Sequence, residues 1–249
     1  MARDAVARAA VARDAVAWDA VVLAGGTSRR LRADSTIPPA TLGPGMDKTE
    51  LSVGGRTLLE RVLDGCSGAS RIAVVGPVRP IRPSWGASDS SPPALLWCQE
   101  SPPGAGPLAA VATGVRATGG HPGAAAGRGN AAAGAAPVIV VLGGDMPFVG
   151  GAVPHLLAAL VHAAEVGRER NAVALAREGG GHHPLALAVR RTAVLAALTR
   201  LGDPAGRPLR LLLDELSIGT VPDAGDWAWD VDDGAGLRAA LARITTVSP

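Results

Sequence analysis

The feature that most constrains this chain is a run of aliphatic side chains, Val138 to Leu142, entered from Pro137 and stopped at Gly143-Gly144-Asp145. A run that is apolar at consecutive positions has no polar face. As a strand it must be covered on both sides, the condition met by a parallel sheet between two helix layers. Other short aliphatic runs at 19–24, 71–75, 95–98, 171–176 and 184–189 predict further strands, with a last edge strand near 218–221. Between them lie helical patterns. Thr57-Leu58-Leu59-Glu60 is a capping box opening a helix to about Cys66, and Pro107 is placed as the first residue of a helix reaching Ala117. Helices are also predicted at 153–166, 192–201, 208–216 and 234–243. Strands alternating with helices in this way predict a Rossmann-like, three-layer α/β/α fold with a mainly parallel sheet.

At 249 residues the chain fits one large domain, predicted to begin at Trp18 and run to the end. Residues 1–17 repeat the unit Ala-Arg-Asp-Ala-Val-Ala with a period of ten, too short and too poor in large apolar groups to build a core, so an N-terminal extension is expected there. The net charge of +2, with 18% charged residues and no basic run longer than two, argues against nucleic acid as a partner, and the few aromatics leave little for bases to stack on. No aliphatic run approaches the roughly 18 residues of a membrane span, so no membrane partner is expected. Cys66 and Cys98 stand alone without zinc spacing, which points to a reducing, cytoplasmic setting.

Rare residues give a pointer to chemistry. Of 24 basic side chains only Lys48 is a lysine; Phe148 is the single phenylalanine, and the methionines after Met1 are Met46 and Met146. All fall in Met46-Asp47-Lys48 and Asp145-Met146-Pro147-Phe148. A lone lysine in an arginine-rich chain suggests a place where a compact ammonium is wanted.

Ligands of open α/β sheets bind beyond the carboxyl ends of the strands, and two candidate sites fall there. In Leu23-Ala24-Gly25-Gly26-Thr27-Ser28-Arg29-Arg30 the paired glycines let backbone N–H groups approach phosphate oxygens, and Arg30 can clamp them with its planar fork. The second is Asp145, a single carboxylate suited to Mg²⁺, which often binds through one or two carboxylates plus substrate phosphates. Each motif has a plainer alternative, a tight turn for Gly-Gly and a helix cap for the Asp. Neither a P-loop nor a GxGxxG fingerprint is present, since Asp47 precedes Lys48 and the glycines are adjacent. His182-His183 would point to opposite faces of a strand, which disfavours a joint role.

In combination these segments resemble the nucleotidyltransferase family that includes molybdenum cofactor guanylyltransferase. That family's Leu-Ala-Gly-Gly-x-Ser-x-Arg-Met-Gly-x-Asp-Lys is matched by Leu23 to Leu31 and then Asp47-Lys48. Its Pro-Gly-x-Gly-Pro-Leu loop is matched by Pro103 to Leu108, its Asp-x-Pro-Phe by Asp145 to Phe148, and its Pro-Leu-x-Ala strand with a following Arg pair by Pro184 to Arg191. Trp229-Asp230-Val231-Asp232-Asp233 stands where relatives carry Asn-x-Asn or Asp-x-Asp. The chain departs from the family in a Pro/Gly-rich insertion at 32–45, expected to be a mobile lid, and in a Gly/Ala-rich segment at 118–136, expected to be a mobile loop.

The resemblance implies Mg²⁺-dependent transfer of GMP from GTP to the phosphate of molybdopterin with release of pyrophosphate. It implies Arg30, Lys48 and Asp145 as catalytic residues, with Asp145 and Asp232 holding the metal and Asp230 standing as the alternative to Asp232. Leu23, Ala24, Gly25, Gly26, Glu100 and Gly106 would frame the nucleotide together with Arg30, Lys48 and Asp145. A cytidylyltransferase, another NTP transferase acting on a phosphorylated metabolite, and a non-catalytic nucleotide-binding protein stand as alternatives.

Overall fold

A computed structural model describes residues 16–26, 28–36, 43, 45–87, 92–120, 134–165, 167 and 169–247. Residues 1–15 of the N-terminal extension, 37–42 and 44 of the insertion, and 121–133 of the Gly/Ala segment lie outside the described residues. The described strands are β1 (Trp18–Leu23), β2 (Ser52–Val53), β3 (Arg56–Thr57), β4 (Arg71–Val75), β5 (Ala94–Cys98), β6 (Val138–Gly143), β7 (Ala172–Ala176), β8 (His182–Arg190) and β9 (Ile218–Val221). The α-helices are α1 (Arg29–Ala33), α2 (Leu58–Gly65), α3 (Pro107–Thr118), α4 (Val153–Glu165), α5 (Arg191–Leu201), α6 (Arg210–Asp214) and α7 (Gly234–Val247).

Seven strands form one sheet in the order β5-β4-β1-β6-β8-β7-β9, and β2 pairs with β3 in a separate hairpin. The aliphatic run is β6, buried along its whole length between β1 and β8. Its side chains alternate between the two layers. Val138, Val140 and Leu142 pack with Leu59 and Leu63 of α2 and Leu156 and Leu160 of α4. Ile139 and Val141 pack with Leu108, Val111 and Val115 of α3 and Val194 of α5. Each such side chain contributes about 1.5–3 kcal/mol by leaving water, which is why the strand without a polar face occupies the middle. Only β8 runs against its neighbours β6 and β7, so the sheet is mainly parallel, as its sequence pattern predicts.

Leu23 pairs with both Val75 and Gly143, and Val75 with Cys98, so β1, β4, β5 and β6 end level. Their following loops therefore open along one edge. The capping box forms as expected: Glu60 N–H donates to Thr57 Oγ1 at 3.1 Å and Thr57 N–H to Glu60 Oε2 at 2.9 Å.

Where the sequence reading has one loop from residue 25 to 48, the structure has the short helix α1 and a 3-10 turn at Lys48–Glu50. The β2–β3 hairpin is also absent from that reading; its two-residue Gly54-Gly55 turn, with φ of 61° and 76°, is the signal that marks it. The helix expected at 208–216 shortens to α6, while β8 is longer than the expected 184–189.

A small third core of Leu31, Leu51, Val53, Leu58, Val231 and Ala240 ties α1, the hairpin, the start of α2 and the segment before α7 together beside the open edge. At the opposite edge the buried pair Arg191–Asp19, 2.5 Å apart, closes the sheet. Arg191 also donates to the Ala136 carbonyl at 2.5 Å and to Thr118 Oγ1 at 3.2 Å, so it gathers both ends of the 118–136 segment. Burial pushes the Asp19 carboxyl up, against the pull of Arg191.

Candidate active site

Asp145 follows β6 in a turn seated directly on the end of β1. Gly144 N–H donates to the Leu23 carbonyl at 2.9 Å, and a Cβ on Gly144 would lie 2.8 Å from that oxygen, so only glycine permits the approach. The segment before α7 then joins: Val231 N–H donates to the Asp145 carbonyl at 3.1 Å. Val231 is buried in the third core, which anchors its segment beside Asp145. Asp230 and Asp232 are thereby turned toward Asp145, and one carboxylate oxygen from each of the three lies within 4.8 Å of the others.

Lys48 reaches the same point from the opposite side. Its Nζ lies 2.5 Å from Asp145 Oδ2 and is also hydrogen-bonded to Asp232 Oδ1. Its backbone is pinned by a 2.8 Å bond from Lys48 N–H to Ser28 Oγ and by a capping box in which Thr49 N–H donates to Asp47 Oδ1 and Asp47 N–H to Glu50 Oε1. Arg30, on α1, donates from Nη1 to Asp232 Oδ2 at 2.7 Å while leaving 81% of its side chain in solvent.

The charges act on one another. Desolvation works against the Lys48 ammonium, but the Asp145 charge and the hydrogen bonds to Asp145 and Asp232 outweigh it and raise its pKa. The hydrogen bond from Lys48 holds Asp232 below the usual carboxylate range, with Arg30 helping. Asp230, which lacks that bond, is pushed up by burial and by the neighbouring Asp232 and Asp145 charges.

A cavity of about 340 Å³ opens over these groups, lined by Gly25, Gly26, Arg30, Lys48, Asp145 and Asp232 among others. Five of the nine residues expected to frame the nucleotide are thus brought together with Asp232, expected as a metal ligand. Leu23 and Ala24 lie beneath: the Leu23 carbonyl accepts from Gly144, and Ala24 N–H donates to Val75 O at 2.8 Å, so these backbone groups hold the loop down. Glu100 and Gly106 do not line this cavity. Glu100 lines a separate, larger cavity of about 570 Å³ beside Thr113, Arg116 and Asp203, and its Oε1 accepts from Gly104 N–H at 3.0 Å, while Gly106 caps α3. The smaller cavity holds the converging carboxylates and the lysine. The sequence reading sets Asp230 and Asp232 as alternatives, whereas the folded segment turns both toward Asp145. It gives no role to the Ser28 hydroxyl, and no signal in the sequence marks the bond to Lys48.

Three carboxylates facing one point offer a hard oxygen set that fits a divalent cation such as Mg²⁺. The adjacent ammonium and guanidinium suit phosphate oxygens. Among the described residues no helix is long and apolar enough to cross a membrane.

A family model described as a MobA-like NTP transferase domain matches residues 20–218. No curated protein matches the chain in sequence. Solved structures similar to it include a Mycobacterium sp. strain JC1 homolog of Mycobacterium tuberculosis rv0371c, with a TM-score of 0.54 at 17% identity over 95% of this chain and 99% of that one. The 2-C-methyl-D-erythritol 4-phosphate cytidylyltransferase of Thermus thermophilus has a TM-score of 0.52 at 20% identity over 92% and 98%. The UDP-glucose pyrophosphorylase of Acinetobacter baumanii has a TM-score of 0.60 at 12% identity over 94% and 95%. At such identities the likeness is one of fold.

Proposed function

Since the chain belongs to the MobA-like NTP transferase domain family, we propose that it is a Mg²⁺-dependent nucleotidyltransferase joining a nucleoside monophosphate to a phosphorylated acceptor. GTP and molybdopterin are the substrates we favour, and residues 18–249 are taken as the transferase domain. The observation that carries this reading is the convergence of Lys48 and Arg30 on Asp145 and Asp232 at the mouth of the glycine loop.

In this reading an acceptor phosphate oxygen attacks the α-phosphorus of the NTP, and the bond to the bridging oxygen breaks as pyrophosphate leaves. Two anions must meet in line, so positioning and neutralisation dominate. Asp145 and Asp232 would hold the Mg²⁺, which when bound neutralises and orients phosphate oxygens. Lys48 and Arg30 exchange their carboxylate partners for the triphosphate and stabilise the departing pyrophosphate. The mobility this requires is available to Arg30, which is largely exposed. Gly25 and Gly26 present backbone to the phosphates without side chains in the way. The acceptor is already ionised, so no side-chain base is needed. A cytoplasmic setting belongs to the same reading, in keeping with Cys66 and Cys98, which are free thiols.

The test is pyrophosphate release by the full chain with Mg²⁺, each of the four common NTPs, and molybdopterin or another phosphorylated acceptor. Release with GTP and molybdopterin, abolished in Asp145→Asn without loss of fold, is expected. Preference for CTP would replace the guanylyl reading, and nucleotide affinity without turnover with any acceptor would make the chain a binding protein.

A further inference from the structure

One buried cation next to the site belongs to none of the motifs. Arg79 lies beyond β4 with only 7% of its side chain exposed. Its two terminal nitrogens reach in different directions: Nη2 donates to the Ala24 carbonyl at 3.0 Å, and Nη1 donates to Thr49 Oγ1 at 2.7 Å. Nη1 also lies 3.4 Å from Glu50 Oε1 and 3.7 Å from Asp47 Oδ1, so the carboxylates of the Asp47–Glu50 capping box balance its charge. One planar group therefore joins the base of the glycine loop to the turn that carries Lys48.

The contact extends to Asp145. A Cβ on Gly144 would meet the Thr49 methyl at 3.3 Å and Ala24 Cα at 3.4 Å, which places Thr49 and Ala24 together against the turn that presents Asp145. We propose that Arg79 is a positioning residue that sets Lys48 against Asp145 by clamping Thr49 and Ala24 at one separation. This rests on the transferase reading above. A Lys at the position keeps the charge but, as a point donor on a flexible stem, lacks the rigid fork that spans both acceptors. Displacing a reacting group by about 1 Å can cost on the order of 100-fold in rate, so a clamp that never touches substrate can still govern turnover.

The experiment compares Arg79→Ala and Arg79→Lys with wild type in nucleotidyl transfer, with and without added ethylguanidinium, and follows amide exchange of Thr49 and Glu50 without ligands. Both variants are expected to lose at least tenfold in kcat, about 1.4 kcal/mol, with the acceptor KM changed less than twofold. Ethylguanidinium should restore part of the rate to Arg79→Ala and none to Lys48→Ala. Exchange at Thr49 and Glu50 should quicken in both Arg79 variants. Wild-type kcat in Arg79→Lys, or an Arg79→Ala that folds and is not rescued, overturns the proposal. Should Arg79→Ala fail to fold, Arg79→Lys decides alone by kcat and exchange. A wild-type chain without turnover would refute the transferase reading, and the exchange data would still decide the clamp: unchanged exchange in Arg79→Lys refutes it.

Discussion

Lys48 occupies the place between carboxylates that a divalent cation would take, and Lys48→Gln should therefore raise the affinity of the nucleotide-free protein for Mn²⁺. At the 2.5 Å separation from Asp145, with an effective dielectric of about 20, the gross attraction is roughly 7 kcal/mol. Most of this is offset by the desolvation of both charges. What remains is the net worth of a hydrogen bond between charged groups, about 1.5–3 kcal/mol. A cation entering the wild-type site must first break that contact and the one to Asp232, whereas in Lys48→Gln it meets Asp145 and Asp230 without the ammonium and Asp232 paired with Arg30 alone. The dissociation constant should fall by roughly tenfold to hundredfold. Titration with Mn²⁺ followed by electron paramagnetic resonance, at low salt and without nucleotide, measures it directly. Turnover should move the other way, because the glutamine offers no charge to the triphosphate. Equal or weaker Mn²⁺ binding in Lys48→Gln would refute the idea that the ammonium guards the carboxylates.

Other outcomes follow from particular contacts. Asp19→Asn leaves Arg191 buried without its counter-charge and should cost about 3 kcal/mol, lowering the melting temperature by roughly 6–12 °C. Gly144→Ala drives a methyl against the Leu23 carbonyl and should cost about 1–3 kcal/mol while reducing kcat, because the turn that must yield is the one presenting Asp145; thermal melts and turnover check both. Asp34 is held below its ordinary value of 3.8 by the Thr36 hydroxyl and backbone and by Gly234 N–H. Its contribution to stability is present above that value and lost as pH falls through the lowered one, so the melting gap between wild type and Asp34→Ala should close below about pH 4.

Local pattern carried much of the architecture. The run at 138–142, its alternation of faces, the capping box at Thr57 and the proline at 107 all act through near neighbours, and each is found where the pattern puts it. The same holds for the segments around Gly25, Lys48, Asp145 and Asp232, whose order along the chain was legible as a family pattern. Their meeting point was not. Lys48 and Asp232 are 184 residues apart, and they touch because Leu31, Leu51, Val53 and Val231 share a small core that no periodicity announces. Gly106 matches the family pattern as closely as Asp145 does, yet it does not line the cavity over Lys48, and Glu100 lines a different one. Arg79 had no motif at all. A motif specifies which side chains are offered, through local backbone preferences. Which of them face one another is set by long-range packing, where level strand ends, a glycine pressed on a carbonyl and one buried guanidinium decide distances of a few ångströms.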